Sequence, residues 1–295
     1  MHHTVIPDIH ADFERLQQSL KNASVNGQIL FLGDFIDAGQ AVEKPSDLQV
    51  LELVRNLISS KKALAVMGNH ELNAILYHTT GKNGAPLRQH SQKNQKQHQS
   101  FIDEFGVGTE RAQEWIDWFL KALPLWSEID GLRLVHACWS DASIEEVRRR
   151  RPDGYLKPSD LREIANESTA FGLAVKSLVT GPEVQLPEGH TFHDFHGNER
   201  KEVRLAWWRA DALTWPEATL SVPDPFELPQ EAMPTGIKSE IYKADAQPVL
   251  VGHYKMNGMP RIEHCKASSI DYPGTPCVYH WSGGDRLNSS DLVKI

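Results

Sequence analysis

Residues 28–37 read Gln28-Ile29-Leu30-Phe31-Leu32-Gly33-Asp34-Phe35-Ile36-Asp37, a short apolar run closed by a glycine and an acid. Such a run is too short for a helix and is bounded by turn residues, so it predicts a strand over Gln28–Gly33 with Asp34 at its end. The same pattern recurs along the chain. Thr4–Pro7 ends at Asp8, Ala63–Met67 ends in Gly68-Asn69-His70-Glu71, Leu132–Val135 ends at His136, and Pro248–Val251 ends at Gly252-His253. Helical spacing fills the intervals. Leu48–Ser59 carries Leu48, Val50, Leu51, Val54, Leu57 and Ile58; a helix is expected from the Gly68–Glu71 block toward Tyr77; and Glu110–Leu123 is amphipathic with Trp115, Trp118 and Phe119. Strands alternating with helices predict βαβ units and an α/β fold.

The polar residues fall in one kind of place. Asp8, His10, Asp34, Asn69, His136 and His253 all lie at or just beyond the C-terminal end of a predicted strand. Strand ends and their loops converge at that edge of an α/β sheet, and ligands bind there. A single histidine after a strand is an ordinary hydrogen-bonded residue. Five strand ends that each deliver an Asp, His or Asn are not ordinary.

Taken in order, Asp8-Ile9-His10, Gly33-Asp34-Phe35-Ile36-Asp37, Gly68-Asn69-His70-Glu71, His136 and Gly252-His253 resemble the motif series of calcineurin-like metallophosphoesterases. The Gly68–Glu71 block is similar to the branch holding Ser/Thr phosphoprotein phosphatases and bacterial diadenosine tetraphosphatases. The resemblance covers roughly residues 1–140 and 245–285. It implies a β-sandwich flanked by helices and two divalent metal ions. Asp8 and His10 would hold the first ion, Asn69, His136 and His253 the second, and Asp34 would bridge them. It further implies that His70 is the proton donor to the leaving group and that Asp37 is its carboxylate partner.

The chemistry suits those residue types. In-line attack on phosphorus benefits from two metals about 3.5–4 Å apart that clamp the phosphoryl oxygens and activate a water. Oxygen and imidazole donors without thiolates suit manganese, iron, zinc or magnesium and do not choose among them; manganese is the first expectation. Two dications bring about +4 against about −2 from Asp8 and Asp34, which leaves a cationic site for a phosphate dianion. A carboxylate beside His70 favours the protonated imidazole that a general acid requires. Glu71 reads as a helix N-terminal acid favoured by the dipole, and Cys138 as a buried packing residue.

The chain also departs from the family pattern. Asp37 is followed by Ala38-Gly39 where the protein phosphatases carry Arg-Gly, so an arginine that would contact substrate phosphate is missing. Ala137-Cys138 follows His136, Tyr254 follows His253, and Pro7 and Ala11 flank the first motif where glycines are common. None of these removes a ligand. Arg88, Lys93, Arg148–Arg151, Arg200 and Arg204 are candidates to replace the arginine through bidentate contacts; of these, Arg88 and Arg204 are carried forward as substrate-binding residues. The run Arg148–Arg151 also reads as a helix end that complements the macrodipole. Trp207 and Trp208 could stack on a nucleobase, although adjacent tryptophans in an apolar strand are more often core.

The remaining chain is read more coarsely. Gly81–Ser100 is polar without apolar period, either a disordered excursion or a lid. Ser143-Ile144-Glu145-Glu146 fits a capping box opening a short helix. Residues 152–245 hold most of the prolines and tryptophans and form an irregular insertion or cap within a single domain spanning 1–295, whose catalytic core is about 1–140 and 245–295. Arg261–Lys266, Ser269–Tyr272 and Cys277–Trp281 read as short strands.

Asp and Glu total 39 against 31 Lys and Arg, a net charge of −8. That balance argues against long nucleic acids and anionic membranes, both of which need a concentrated basic face. No apolar stretch is long enough to span a membrane, the N-terminus lacks the pattern of a signal peptide, and three scattered cysteines make no disulfide framework. The expectation is a cytoplasmic hydrolase of phosphorylated substrates: phosphopeptides, phosphate esters or nucleotides.

Overall fold

The protein is described here by a computed structural model covering residues 2–39, 41–194, 197–234 and 242–295. The apolar runs do form strands. β1 (His3–Ile6), β2 (Ile29–Phe31) and β3 (Ala63–Ala65) lie parallel, with Thr4 opposite Ile29 and Ile29 opposite Ala63. Antiparallel β13 (Cys277–Trp281) and β14 (Leu292–Lys294) complete a sheet of order β14-β13-β1-β2-β3. A second sheet, β12-β11-β5-β4, contains β4 (Trp126–Ile129), β5 (Leu132–Val135), β11 (Val249–Val251) and β12 (Ala267–Ser269). In it β5, β11 and β12 run parallel, with Leu250 opposite both Leu134 and Ser268.

The two sheets face each other, as the period-two alternation of their side chains shows. Val5, Leu30, Tyr279 and Trp281 of one sheet and Leu132, Leu134 and Leu250 of the other form one buried cluster. Their neighbours Ile6, Phe31, Val135, Val249 and Val251 point the opposite way and pack with the helices. A β-sandwich flanked by helices results. Each buried Leu, Ile or Phe contributes about 1.5–3 kcal/mol.

The flanking helices begin at polar caps. Asp12, Ser46 and Thr109 accept backbone N–H bonds at the starts of α1 (Phe13–Lys21), α2 (Asp47–Ser59) and, further on, the helix Glu110–Ala122. Between the last two stand α3 (Asn69–His78), α4 (Gln92–Gln97) and α5 (Gln99–Phe105), so Glu110–Ala122 is α6. Its buried Ala112, Trp115, Ile116 and Phe119 follow the 3.6-residue period.

Three local expectations are corrected. The polar stretch Gly81–Ser100 is not loop throughout: Ser91 caps α4, and Phe101 and Phe105 anchor α5 in the core. A helix as polar as α4 carries no apolar period to detect. The next helix, α7 (Asp141–Arg148), starts three residues early, because the Ser140 hydroxyl accepts the Ser143 N–H and Ser143 lies within the helix. In the tail, β12 covers Ala267–Ser269 rather than Arg261–Lys266 or Ser269–Tyr272, since β11 offers only three residues to pair.

Within 152–245, α8 (Leu161–Asn166) and α9 (Ala170–Thr180) share the main core through Ile164, Val175 and Leu178. Beyond them β6 (Glu183–Gln185), the hairpin β7 (Phe192–His193) and β8 (Glu199–Arg200), β9 (Glu202–Leu205), α10 (Trp215–Ala218) and β10 (Thr219–Leu220) surround a separate cluster. Leu186, Phe192, Val203, Leu205 and Trp215 make up that cluster. Residues 195–196 and 235–241 of this insertion lie outside the described residues. Among the described residues no helix is long and apolar enough to cross a membrane.

Candidate metal centre

The C-terminal ends of β1, β2, β3, β5 and β11 bring all six expected ligands together. The loops are stitched through the backbone: Ile9 and His10 N–H donate to Asp34 O (2.9 Å each), and Gly252 N–H donates to His136 O (3.0 Å). His253 N–H reaches across to the Asp8 carboxylate at 3.0 Å, and His136 Nδ1 donates to Leu32 O at 2.7 Å, tying the two sheets at their shared edge.

Conformational strain is concentrated in these loops. Among the described residues, nine that are not glycine have positive φ, and His10, Ala11, Asp34, Asp37 and His253 are five of them. L-residues adopt this left-handed region at a cost, and it persists where surrounding structure over-determines it. Two glycines make room for the acids. A Cβ on Gly68 would collide with Asp34, and one on Gly252 with the Asp8 carboxylate.

Asp34 Oδ2 is the centre of the arrangement. It lies 3.3 Å from His136 Nε2 and 3.9 Å from both His10 Nε2 and His70 Nε2. Asp8 Oδ2 is also 3.9 Å from His10 Nε2. On the other side Asn69 Oδ1 stands 3.0 Å from His136 Nε2 and 2.8 Å from His253 Nδ1. The rings are aimed by their second nitrogens: Nδ1 of His10 faces Ile36 O at 3.3 Å, and Nδ1 of His136 faces Leu32 O. Backbone carbonyls commonly fix metal-binding histidines in this way.

These donors fit divalent cations. His253 Nε2 is buried without a hydrogen-bond partner. Burial and the nearby His70 lower the His10 pKa to about 3, and burial with Arg204 nearby lowers that of His253, so both present lone pairs. Burial and the neighbouring Asp271 push Asp8 well above the ordinary carboxylate range, an arrangement that a bound dication reverses. Asp34 behaves oppositely: burial opposes its ionisation, but His136 and His70 hold its pKa well down. Burial alone would lower His136, yet Asp34 and Asp8 raise it to about 10. Distance admits His10, Asp34 and His70 as one ligand group and Asp34, His136 and His253 as another.

His70 differs from the other rings in its partner. Its Nδ1 donates to Asp37 Oδ2 at 2.7 Å. Burial would lower its pKa, but Asp34 and Asp37 raise it to about 9. The raised pKa does not set it apart, since that of His136 is raised further; what does is the carboxylate on Nδ1, where His10 and His136 face backbone carbonyls, and its Nε2 still reaches Asp34 at 3.9 Å. Glu71 is neither ligand nor proton donor. Fully buried, it accepts N–H bonds from Asp34 (2.9 Å), Phe35 (2.8 Å) and Gly68 (3.0 Å), and so ties the β2 loop to the start of α3.

Sequence reasoning missed two residues. His98, in the stretch expected to be a disordered excursion or a lid, donates from Nδ1 to Asp37 Oδ1 at 2.6 Å. Phe101 and Phe105, one helical turn apart, were the available signal that this segment is anchored. Asp271, just after β12, is buried beside Asp8, with Arg15 Nη2 at 3.6 Å; the strand before it is Ala267-Ser268-Ser269, so no apolar run marked it as a strand-end acid.

The basic candidates separate. Arg204 lies close enough to bear on His253 and pairs with Glu183 at 3.3 Å; Arg88 lies in the field of Asp37 and donates to Asn94 and Gln97. Arg148–Arg151 are engaged elsewhere. Arg151 grips buried Asp160 through Nε at 2.7 Å and Nη2 at 2.8 Å, and Arg150 pairs with Glu163. Trp207 and Trp208 are buried, with Trp207 Nε1 donating to Ala137 O, and Cys138 is buried as well.

Comparison with known proteins points the same way. Residues 1–161 match the family model for calcineurin-like phosphoesterases. Over 136 residues the chain is 32% identical to the symmetrical bis(5'-nucleosyl)-tetraphosphatase of Vibrio cholerae serotype O1, covering 45% of this chain and 43% of that protein. The match therefore spans less than half the length of these relatives. Among solved structures, a serine/threonine phosphatase from Saccharomyces cerevisiae aligns with a TM-score of 0.47 at 13% identity, over 100% of this chain and 79% of the other. A cold-active protein tyrosine phosphatase of a Shewanella species aligns with a TM-score of 0.44 at 14% identity, over 99% and 80%. Likenesses that distant say nothing about substrate. The family match, by contrast, covers 161 of 295 residues and includes four of the five strand ends, and the chain belongs to the calcineurin-like phosphoesterases.

Proposed function

We propose that this chain hydrolyses phosphate monoesters, phosphopeptides or small esters, at a dinuclear metal site. Asp8 and His10 would hold one ion, Asn69, His136 and His253 the other, and Asp34 would contribute to both. The supporting observation is the convergence of Asp34 Oδ2, Asn69 Oδ1, His136 Nε2 and His253 Nδ1 beside His70, whose Nδ1 is held by the Asp37 carboxylate. When bound, the two ions supply Lewis-acid polarisation of the phosphoryl oxygens and a water of lowered pKa. Manganese is the proposed metal; iron, zinc and magnesium suit the same oxygen and nitrogen donor set.

The chain's own groups do the rest. His70 Nε2 faces the centre and gives its proton to the ester oxygen as the P–O bond breaks, so the alcohol leaves neutral. Asp37 holds Nδ1, fixing the ring's orientation and favouring its charged form. Arg204, which bears on His253, and Arg88, which lies in the field of Asp37, take the place of the arginine missing after Asp37 and bind phosphate. The whole of 1–295 is read as one domain carrying 152–245 as an insertion, which agrees with α8 and α9 sharing the main core. Free thiols at Cys265 and Cys277 agree with a cytoplasmic setting.

A second reading, a nucleotide pyrophosphohydrolase, is favoured by the similarity to the Vibrio tetraphosphatase. The buried Trp207 and Trp208 do not supply its base-binding surface. Manganese-supplemented turnover on p-nitrophenyl phosphate, its bis-ester, a phosphopeptide and diadenosine tetraphosphate tests both. Hydrolysis of the monoesters is expected; preference for the tetraphosphate selects the second reading, and no hydrolysis with any divalent metal overturns both.

A further inference from the structure

The carboxylate of Asp37 is shared between two imidazoles. Oδ2 accepts from His70 Nδ1 at 2.7 Å, and Oδ1 accepts from His98 Nδ1 at 2.6 Å. The chain of rings continues, with His98 Nε2 standing 3.1 Å from His78 Nε2. His78 Nδ1 is buried with no partner. A bare lone pair tolerates that environment better than an unpaired N–H, so the His78 proton belongs on Nε2, donated to His98. His98 must then carry its own proton on Nδ1, facing Asp37.

The surroundings hold this geometry. His98 is 4% exposed and stacks on Phe101, with ring centroids 4.7 Å apart. The same short segment reaches the Asp37 loop twice more. Ser100 Oγ accepts the Ala38 N–H at 2.9 Å, and the Glu104 carboxylate accepts from Ser46 Oγ and the Leu48 N–H. Asp37 itself has φ +67°, a conformation that neighbouring contacts must sustain.

We propose that His98 is a positioning residue for proton donation: it fixes the Asp37 carboxylate through Oδ1, so that Oδ2 holds His70 in the tautomer and orientation that aim Nε2 at the leaving group. His78 sets the tautomer of His98. This rests on His70 being the general acid.

The test compares an alkyl phosphate, whose departing oxygen needs a proton, with 2,4-dinitrophenyl phosphate, whose oxygen does not. In manganese, His98→Ala is expected to lose about 10–100-fold in kcat on the alkyl ester and far less on the activated one. His98→Asn, whose amide can still donate to Oδ1, is expected to recover most of the loss. His78→Leu should move the same ratio by a smaller factor and serves if His98→Ala fails to fold. Equal losses on both substrates, or none on either, overturn the proposal. His70→Ala is run alongside: if it also shows no leaving-group dependence, the general-acid reading has failed; if it does and His98→Ala does not, only the role of His98 has failed. Independently of turnover, proton–nitrogen correlation spectra of the metal-free protein should show His98 and His70 protonated at Nδ1, with the His70 signal shifted in His98→Ala. A His98 proton found only on Nε2 contradicts the proposal.

Discussion

Glu71 Oε2 accepts the backbone N–H of Asp34 at 2.9 Å. An acid from the first turn of α3 thereby sets the residue that the loop after β2 presents to both halves of the site. Asp34 has φ +50° and needs such a hold. Replacing Glu71 by Gln puts an NH2 group against one of three N–H donors. Leaving a buried donor unmet costs about 1–3 kcal/mol. Glu71→Gln should lower the Tm and weaken Mn2+ binding together, read by calorimetry with and without metal. An unchanged metal affinity would mean that Asp34 is held by other contacts.

Gly252 makes room for Asp8. A Cβ there meets the carboxylate whose oxygens accept the His253 N–H. Gly252→Ala should leave the fold in place and reduce affinity for the Asp8-side ion by about 10-fold or more, measured by competition with a chelator. Wild-type affinity would show that Asp8 can move aside at no cost.

The four-arginine run is structural. Arg151 makes a two-pronged contact with Asp160, a residue that is 1% exposed. Arg151→Ala should destabilise toward the lower end of about 3–5 kcal/mol, the cost of orphaning a buried charge, in chemical denaturation. The KM for a phosphate ester should not change; a raised KM would return this run to the list of phosphate contacts.

Acid should weaken the metal-free protein partly through His78. Burial, with His98 and His90 nearby, lowers its pKa to about 4 from 6.5. Between those values the unfolded chain binds a proton that the native chain does not. Stability is therefore lost as pH falls through that window and levels off below it. His78→Gln should lose less Tm than wild type between pH 7 and 4.5 in the presence of a chelator. Parallel curves would mean that the native ring is protonated.

Much of this was legible in the sequence because strands buried on both faces must be apolar, so their ends are sharply marked by Asp8, Asp34, Asn69, His136 and His253. Loops that lean on tertiary contacts are not marked in this way. His98 sits in a polar helix-turn held by two phenylalanines, and its partnership with Asp37 spans 61 residues of sequence. Asp271 is likewise brought beside Asp8 only by the pairing of β12 with β11. The early start of α7 turned on which of two serines reached an N–H.

The most direct measurement is the Mn2+ stoichiometry of the wild-type chain and of Asp34→Asn, by elemental analysis after equilibrium dialysis. With Asp34 Oδ2 at the centre of both donor groups, wild type should bind two ions per chain, and Asp34→Asn should lose at least one and bind the other more weakly. Fewer than two ions in wild type, or two in Asp34→Asn at unchanged affinity, would contradict a dinuclear site built around Asp34.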